Sequence, residues 1–332
     1  MARRLNFFAP AESPDRLACD TLIAVISPNG VSLSVSLGAL RLANPIIAAS
    51  GTFGYGIEFA DLVDLNQLGA IVVKGLSAQP MEGAPGPRLC PTAGGMLNAV
   101  GLQNVGVRAF VAEKLPALRR YSTPIIANVF GNSVEEYLEV IRVLESAAGI
   151  AAYELNISCP NVKRGGLQFG TDPVMTSEVV AAARATTKRP LWVKLSPLVT
   201  DIAVIARAAE AAGADALTVA NTYPAMSVDL ETRRSRLGRD SGGLSGPAIK
   251  PLTQRLVWQI YNTVKVPVIG LGGIEKPEDV LEYLLLGASA VQVGTAHFSD
   301  PLACVRLLEG VWNYCLHSKV SDINDLRGKF VN

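Results

Sequence analysis

The strongest constraint in this sequence is an alternation that repeats eight times. From Val31 onward, short runs rich in β-branched residues are each followed by an Ala/Leu/Glu-rich segment of helical period. That is the pattern of parallel strands, each needing a crossover helix to return. The runs are Pro45 to Ala49, Ala70 to Val73, Pro124 to Val129, Ala152 to Ile157, Leu191 to Leu195, Ala216 to Ala220, Val266 to Leu271 and Ala290 to Val293. The helical segments are Glu58 to Asn66, Gly106 to Arg120, Val134 to Ala148, Pro173 to Thr187, Asp201 to Ala212, Pro247 to Thr263, Pro277 to Leu286 and Pro301 to Leu316. Asp172 before Pro173, Lys276 before Pro277-Glu278-Asp279, and Asp300 before Pro301 carry the chemistry of helix starts.

Eight such units predict an α/β chain folded as a closed (β/α)8 TIM barrel. A doubly wound open sheet also alternates, but Ser50-Gly51-Thr52-Phe53-Gly54 after the first run lacks the G-x-G-x-x-G spacing of its usual first turn. No Pro/Ser-rich linker divides the chain, so residues 32–332 are expected to form a single barrel domain. Residues 1–31 hold Pro10, Pro14, Pro28 and Gly30 without sustained period, and form an N-terminal extension to which the sequence assigns no role.

The C-terminal ends of the eight runs present Ser50, Lys74, Asn128, Asn156, Lys194, Asn221, Gly272-Gly273 and Gly294-Thr295. In a barrel these ends meet at one mouth, so together they describe a pocket with two ammonium groups, three amides and two glycine turns. Each alone has a plainer explanation, since a strand-end Asn is usually a turn former and a lone Lys a solvated one. Three connections are long enough to be functional: Gly75 to Val105, Ser158 to Asp172 and Thr222 to Gly246. The glycine turns after the seventh and eighth runs lie where barrels bind phosphate through backbone N–H groups. A sugar phosphate and flavin mononucleotide (FMN) both fit. The two lysines favour the flavin, because an ammonium such as that of Lys194 stabilises the charge of a reduced ring.

Composition narrows the partners. A formal charge of +1 over 332 residues gives no pull toward nucleic acid or anionic lipid. The five cysteines, Cys19, Cys90, Cys159, Cys304 and Cys315, contain no C-x-x-C pair, which suits a reducing cytoplasm and argues against bound zinc or an iron–sulfur cluster in this chain. The two histidines, His297 and His317, have no partners at metal spacing, so structural roles and no metal site are expected. No apolar run approaches the ~20 residues of a membrane span. The Arg-rich stretch Glu231 to Asp240 reads as a solvated face.

Cys159 stands in Asn156-Ile157-Ser158-Cys159-Pro160-Asn161, where the fourth run ends. A lone cysteine is more often a buried structural thiol. Placed among amides and facing two lysines, it is instead positioned as a base.

With these residues in place the chain resembles the class 1 dihydroorotate dehydrogenases, and looks closest to the NAD-linked class 1B. The resemblance runs from Val31 to the C-terminus and rests on Met96-Leu97-Asn98-Ala99-Val100-Gly101-Leu102-Gln103-Asn104, Asn156 to Lys163, and Gly242-Gly243-Leu244-Ser245-Gly246-Pro247-Ala248. It implies a barrel holding FMN, contacted by Ser50, Lys74, Gly75, Asn128, Asn156 and Lys194, and also by Ala220, Gly246, Gly272, Gly273, Gly294 and Thr295. Substrate would be held by Lys74, Asn98, Ala99, Val100, Gly101 and Leu102, together with Asn156, Asn161, Asn221 and Thr222. Cys159 would take a proton from the ring methylene of dihydroorotate while hydride leaves the adjacent carbon for the flavin. Class 2 relatives carry serine there.

The resemblance further implies a catalytic homodimer within a heterotetramer, whose other subunit carries FAD and a 2Fe-2S cluster and passes electrons to NAD. Alternatives are a fumarate-linked class 1A enzyme, the catalytic barrel of a dihydropyrimidine dehydrogenase, and a colourless phosphate-binding barrel isomerase or synthase.

Overall fold

The computed structural model describes residues 30–158 and 169–331. All but two residues of the N-terminal extension, and residues 159–168 with Cys159 and Asn161, lie outside the described residues.

Eight parallel strands close into a barrel in chain order. They are β1 (Ile46–Ala48), β2 (Ala70–Val72), β3 (Ile125–Val129), β4 (Ala152–Asn156), β5 (Leu191–Lys194), β6 (Ala216–Val219), β7 (Val268–Leu271) and β8 (Ala288–Val293). Nearly every residue in them is buried, because one face looks into the barrel and the other is covered by helices. This is why the runs read as continuous apolar stretches rather than alternating ones. The main helices are α1 (Val134–Glu145), α2 (Pro173–Thr186), α3 (Ile202–Ala211), α4 (Lys250–Tyr261), α5 (Pro277–Leu285) and α6 (Ala303–His317). Asp172 and Asp201 cap α2 and α3 by accepting from the N–H groups of Met175 and Ala203. At α5 the Asp279 carboxylate accepts from the N–H groups of Glu275 and Lys276 and pairs with Lys250.

Two expected helices differ. Residues 58–66 form no α-helix but two short 3-10 turns, Ile57–Phe59 and Leu65–Gln67. The second is held from outside: Thr123 Oγ1 donates to Leu65 O and Asn44 Nδ2 to Gln67 O, while the Asp64 side chain caps it. The expected helix at 106–120 is interrupted by a π segment, Phe110–Lys114, between Val107–Ala109 and Leu115–Leu118. Pro116 has no N–H to return to the preceding turn, which opens the ladder there.

A hairpin, Val35–Leu37 paired with Leu40–Leu42, packs Leu37 and Leu42 into the main core. Gly38 at its turn lies against Asp215, just before β6, so the hairpin sits at the N-terminal end of the barrel, away from the mouth. At the other end, the first and third long connections build one antiparallel sheet in the order Tyr223–Ala225, Gly242–Ser245, Gly95–Asn98, Leu89–Thr92. It has its own small core of Cys90, Leu97, Ala99 and Leu237. No helix among the described residues is long and apolar enough to cross a membrane.

Candidate active site

The strand ends converge on a cavity of about 1000 Å³ at the mouth. It is lined by Ser50, Lys74, Gly75, Asn128, Asn156 and Lys194 from the first five strands and their exits. Ala220, Asn221, Thr222, Gly246, Gly272, Gly273, Gly294 and Thr295 complete the ring, and Asn98 to Leu102 reach over it from the antiparallel sheet. Every site residue expected from the sequence therefore borders one cavity, except Cys159 and Asn161, which lie outside the described residues. Ser158, the residue before Cys159, also lines it.

Local bonding fixes which groups face the cavity. Tyr137 Oη donates to Asn156 O at 2.8 Å, anchoring the end of β4. Ser158 Oγ donates to Asn156 Oδ1 at 2.7 Å and accepts from Asn221 Nδ2, so the two amides and the hydroxyl form one chain across neighbouring strand exits. Asn98 Nδ2 donates to Gly243 O at 3.1 Å, tying the overhanging strand to the third long connection. Leu102 is held in the left-handed region at φ 58°, uncommon for a branched residue. Asn104 maintains it: its Nδ2 donates to Leu102 O at 2.9 Å and to Ser77 Oγ at 2.8 Å, and its Oδ1 accepts from Gly106 N at 2.8 Å.

Both lysines are held below the ordinary ammonium range. For Lys194, almost wholly buried on β5, the cause is loss of water, opposed by the negative charge of Glu154. For half-buried Lys74 it is burial and then repulsion from Arg88, opposed by Glu58. An anion entering the cavity would offset that desolvation, so both lysines favour a negatively charged ligand.

The residues fit a flavin phosphate. A Cβ at Gly294 would meet no atom closer than 3.8 Å, so the protein itself leaves room over that turn. Gly273, at φ 68°, needs glycine for its backbone, and a Cβ there would come within 2.7 Å of Lys250 Cβ. Tyr283 Oη donates to Gly272 O at 2.7 Å, which holds the turn in place. Two buried amide oxygens, Asn128 Oδ1 and Gln292 Oε1, have no partner among the described residues.

Sequence reasoning missed Gln292, Arg239 and Asp240, all of which line the cavity. The last two belong to the stretch expected to be a solvated face. Gln292 had a legible signal, being two residues before Gly294 on the same face of β8. His297 is buried behind the last glycine turn, with Nε2 3.3 Å from Cys304 Sγ, in keeping with a structural role.

Comparison with known proteins agrees with this geometry. A curated relative from Trichlorobacter lovleyi, named dihydroorotate dehydrogenase B (NAD(+)), catalytic subunit, is 54% identical over 90% of this chain and 98% of its own. One of the same name from Geotalea uraniireducens is 53% identical over the same shares. A relative from Solibacter usitatus, 54% identical over 89% of this chain and 97% of its own, is named putative dihydroorotate dehydrogenase A (fumarate). The crystal structure of dihydroorotate dehydrogenase from Eimeria tenella in complex with ferulenol shares the fold at a TM-score of 0.76 and 22% identity, covering 94% of this chain and 91% of that one. The family model for dihydroorotate dehydrogenase matches residues 32–314, and the chain belongs to that family.

Proposed function

We propose that this chain oxidises (S)-dihydroorotate to orotate in pyrimidine synthesis, as the FMN-binding catalytic subunit of an NAD-linked enzyme. The observation that carries this is the single cavity in which Lys74, Asn98, Asn128, Asn156, Lys194 and Asn221 converge above two glycine turns. Its support is the 54% identity to a relative named for that activity.

FMN, when bound, would supply the acceptor for a hydride equivalent. Gly272, Gly273, Gly294 and Thr295 would hold its phosphate through backbone N–H groups. Ser50, Gly75, Asn128, Ala220 and Gly246 would border the rest of it, with Lys194 giving a fixed positive charge. Lys74 would pair with the substrate carboxylate, and Asn98, Asn156, Asn161 and Asn221 would match the donors and acceptors of its flat ring. Ala99, Val100, Gly101, Leu102 and Thr222 would close over it, excluding water.

Cys159 would accept the proton from the ring methylene as a thiolate. The residue before it, Ser158, has its hydroxyl tied to Asn156 and Asn221. The barrel would act as one domain over residues 32–332, with residues 1–31 an appendage outside the chemistry.

Electrons would leave through a second polypeptide carrying FAD and a 2Fe-2S cluster, in a cytoplasmic heterotetramer built on a catalytic homodimer. The Solibacter usitatus relative favours a second reading, in which fumarate is the acceptor. Steady-state turnover with dihydroorotate separates the two. NAD reduction that requires the co-expressed partner supports the NAD-linked assignment. Full turnover of the isolated chain with fumarate supports the other, and orotate formation with neither acceptor leaves neither standing.

A further inference from the structure

One layer below the mouth lies a polar group that the proposed chemistry does not use. Glu154 is completely buried in β4, and its carboxylate accepts three hydrogen bonds from three different strands. Asn128 Nδ2 of β3 donates to Oε1 at 2.7 Å, Thr218 Oγ1 of β6 donates to Oε2 at 2.8 Å, and Gln292 Nε2 of β8 donates to Oε2. The pairing register supports this: Asn128 stands directly opposite Glu154 in the β3/β4 ladder.

The carboxylate oxygens accept all three bonds, so both amides turn their amino groups toward them. Their carbonyl oxygens are thereby forced the other way. Asn128 Oδ1 and Gln292 Oε1 are buried and without a partner among the described residues, in side chains that line the cavity. Asn128 Oδ1 points at Gly75, where an added Cβ would come within 3.0 Å of it. Leaving a buried acceptor unpaired costs ~1–3 kcal/mol. Both oxygens belong to side chains that border one cavity, so the orientation of these amides fixes what its wall offers.

The same carboxylate also faces Lys194. That lysine lies on β5, in register with Asn156 on one side and Thr218 on the other. The strands around it contribute neutral Asn128, Thr218 and Gln292, and Glu154 is the one charge among the described residues that favours its ammonium form. The other charged side chains of the cavity, Lys74, Arg239, Asp240 and Glu275, come from strand exits and loops instead.

We infer that Glu154 is a positioning residue for this site: its carboxylate holds the Asn128 and Gln292 amides in one orientation at the cavity wall and places a negative charge beside Lys194. The inference rests on the proposed function only for the identity of the ligand. Its test does not use dihydroorotate turnover, so a failure of that assignment and a failure of this one are told apart.

The decisive variant is Glu154→Gln, which keeps the shape but removes the charge and brings an amino group that cannot accept from two others. In the apoprotein, NMR of carbon-labelled lysine should show Lys194 losing its proton at a lower pH than in the wild type, because the charge that favours its ammonium form is gone. Affinity for FMN, read by quenching of its fluorescence, should fall about tenfold. Thr218→Val removes one donor but leaves the charge, and should leave the Lys194 titration where it was. In the wild-type protein the amide protons of Asn128 and Gln292 should exchange slowly with solvent. An unmoved Lys194 in Glu154→Gln, or an equal movement in Thr218→Val, overturns the inference. If Glu154→Gln does not fold, Gln292→Leu decides, since it removes one held amide and leaves the Glu154 charge: weaker FMN binding with an unmoved Lys194 titration upholds the inference, and unchanged FMN binding overturns it.

Discussion

His297 links acid stability to the glycine turn that precedes it. The ring sits in a 3-10 turn, Thr295–Phe298, directly after Gly294, with its centroid 4.7 Å from that of Phe53 and 6.3 Å from that of Phe59. Burial pushes its titration down to about 4, against the opposing effects of the Gly294 backbone and Asp300. In the unfolded chain the same ring titrates at 6.5. Between those values the unfolded chain carries a proton that the folded one does not. Stability is therefore fully present above pH 6.5 and is lost progressively as the pH falls to about 4. The gap corresponds to roughly 3 kcal/mol, a large share of the ~5–15 kcal/mol that holds a typical domain together. His297→Phe fills much of the same space, keeps the contacts with Phe53 and Phe59, and cannot titrate. Urea unfolding in steps from pH 7.5 to 4 should show the wild type losing about 3 kcal/mol more than the variant. Because Thr295 begins the same turn, bound FMN should be released from the wild type within that window and retained by the variant. Parallel stability profiles for the two proteins would refute the argument.

Two further expectations concern the site itself. Cys159→Ala should abolish rapid oxidation of dihydroorotate while leaving FMN bound, and wild-type turnover should rise with pH as the thiol ionises; a flat pH profile with chemistry limiting would exclude the thiolate base. Tyr283→Phe removes the hydroxyl that donates to Gly272 O at 2.7 Å. It should cost ~1–3 kcal/mol in denaturant unfolding and weaken FMN binding measurably; unchanged stability would mean that the carbonyl finds another donor.

The barrel was legible because each strand is buried on both faces, and so spells an unbroken apolar run between a turn and a helix. Strand ends were legible because the pocket places Lys74, Asn128, Asn156 and Lys194 where those runs stop. The polar layer beneath was not read, although it follows from the same geometry. Glu154, Thr218 and Gln292 each stand two residues before a mouth position, at Asn156, Ala220 and Gly294, and so share its face. Residues 58–66 differ for another reason: the second of the two short turns there is held by Thr123 and Asn44, distant in sequence. No local pattern carries that information. The antiparallel sheet over the mouth was likewise invisible, because it pairs Gly95–Asn98 with Gly242–Ser245 across half the chain.

The central claim is that this cavity brings dihydroorotate and a flavin together for oxidation by this chain. It is tested most directly by adding dihydroorotate to the purified protein without oxygen and following absorbance and product in a single turnover. The account predicts a yellow protein that bleaches, with one orotate formed per bound flavin. A colourless protein, or a yellow one that dihydroorotate leaves unbleached, would contradict it.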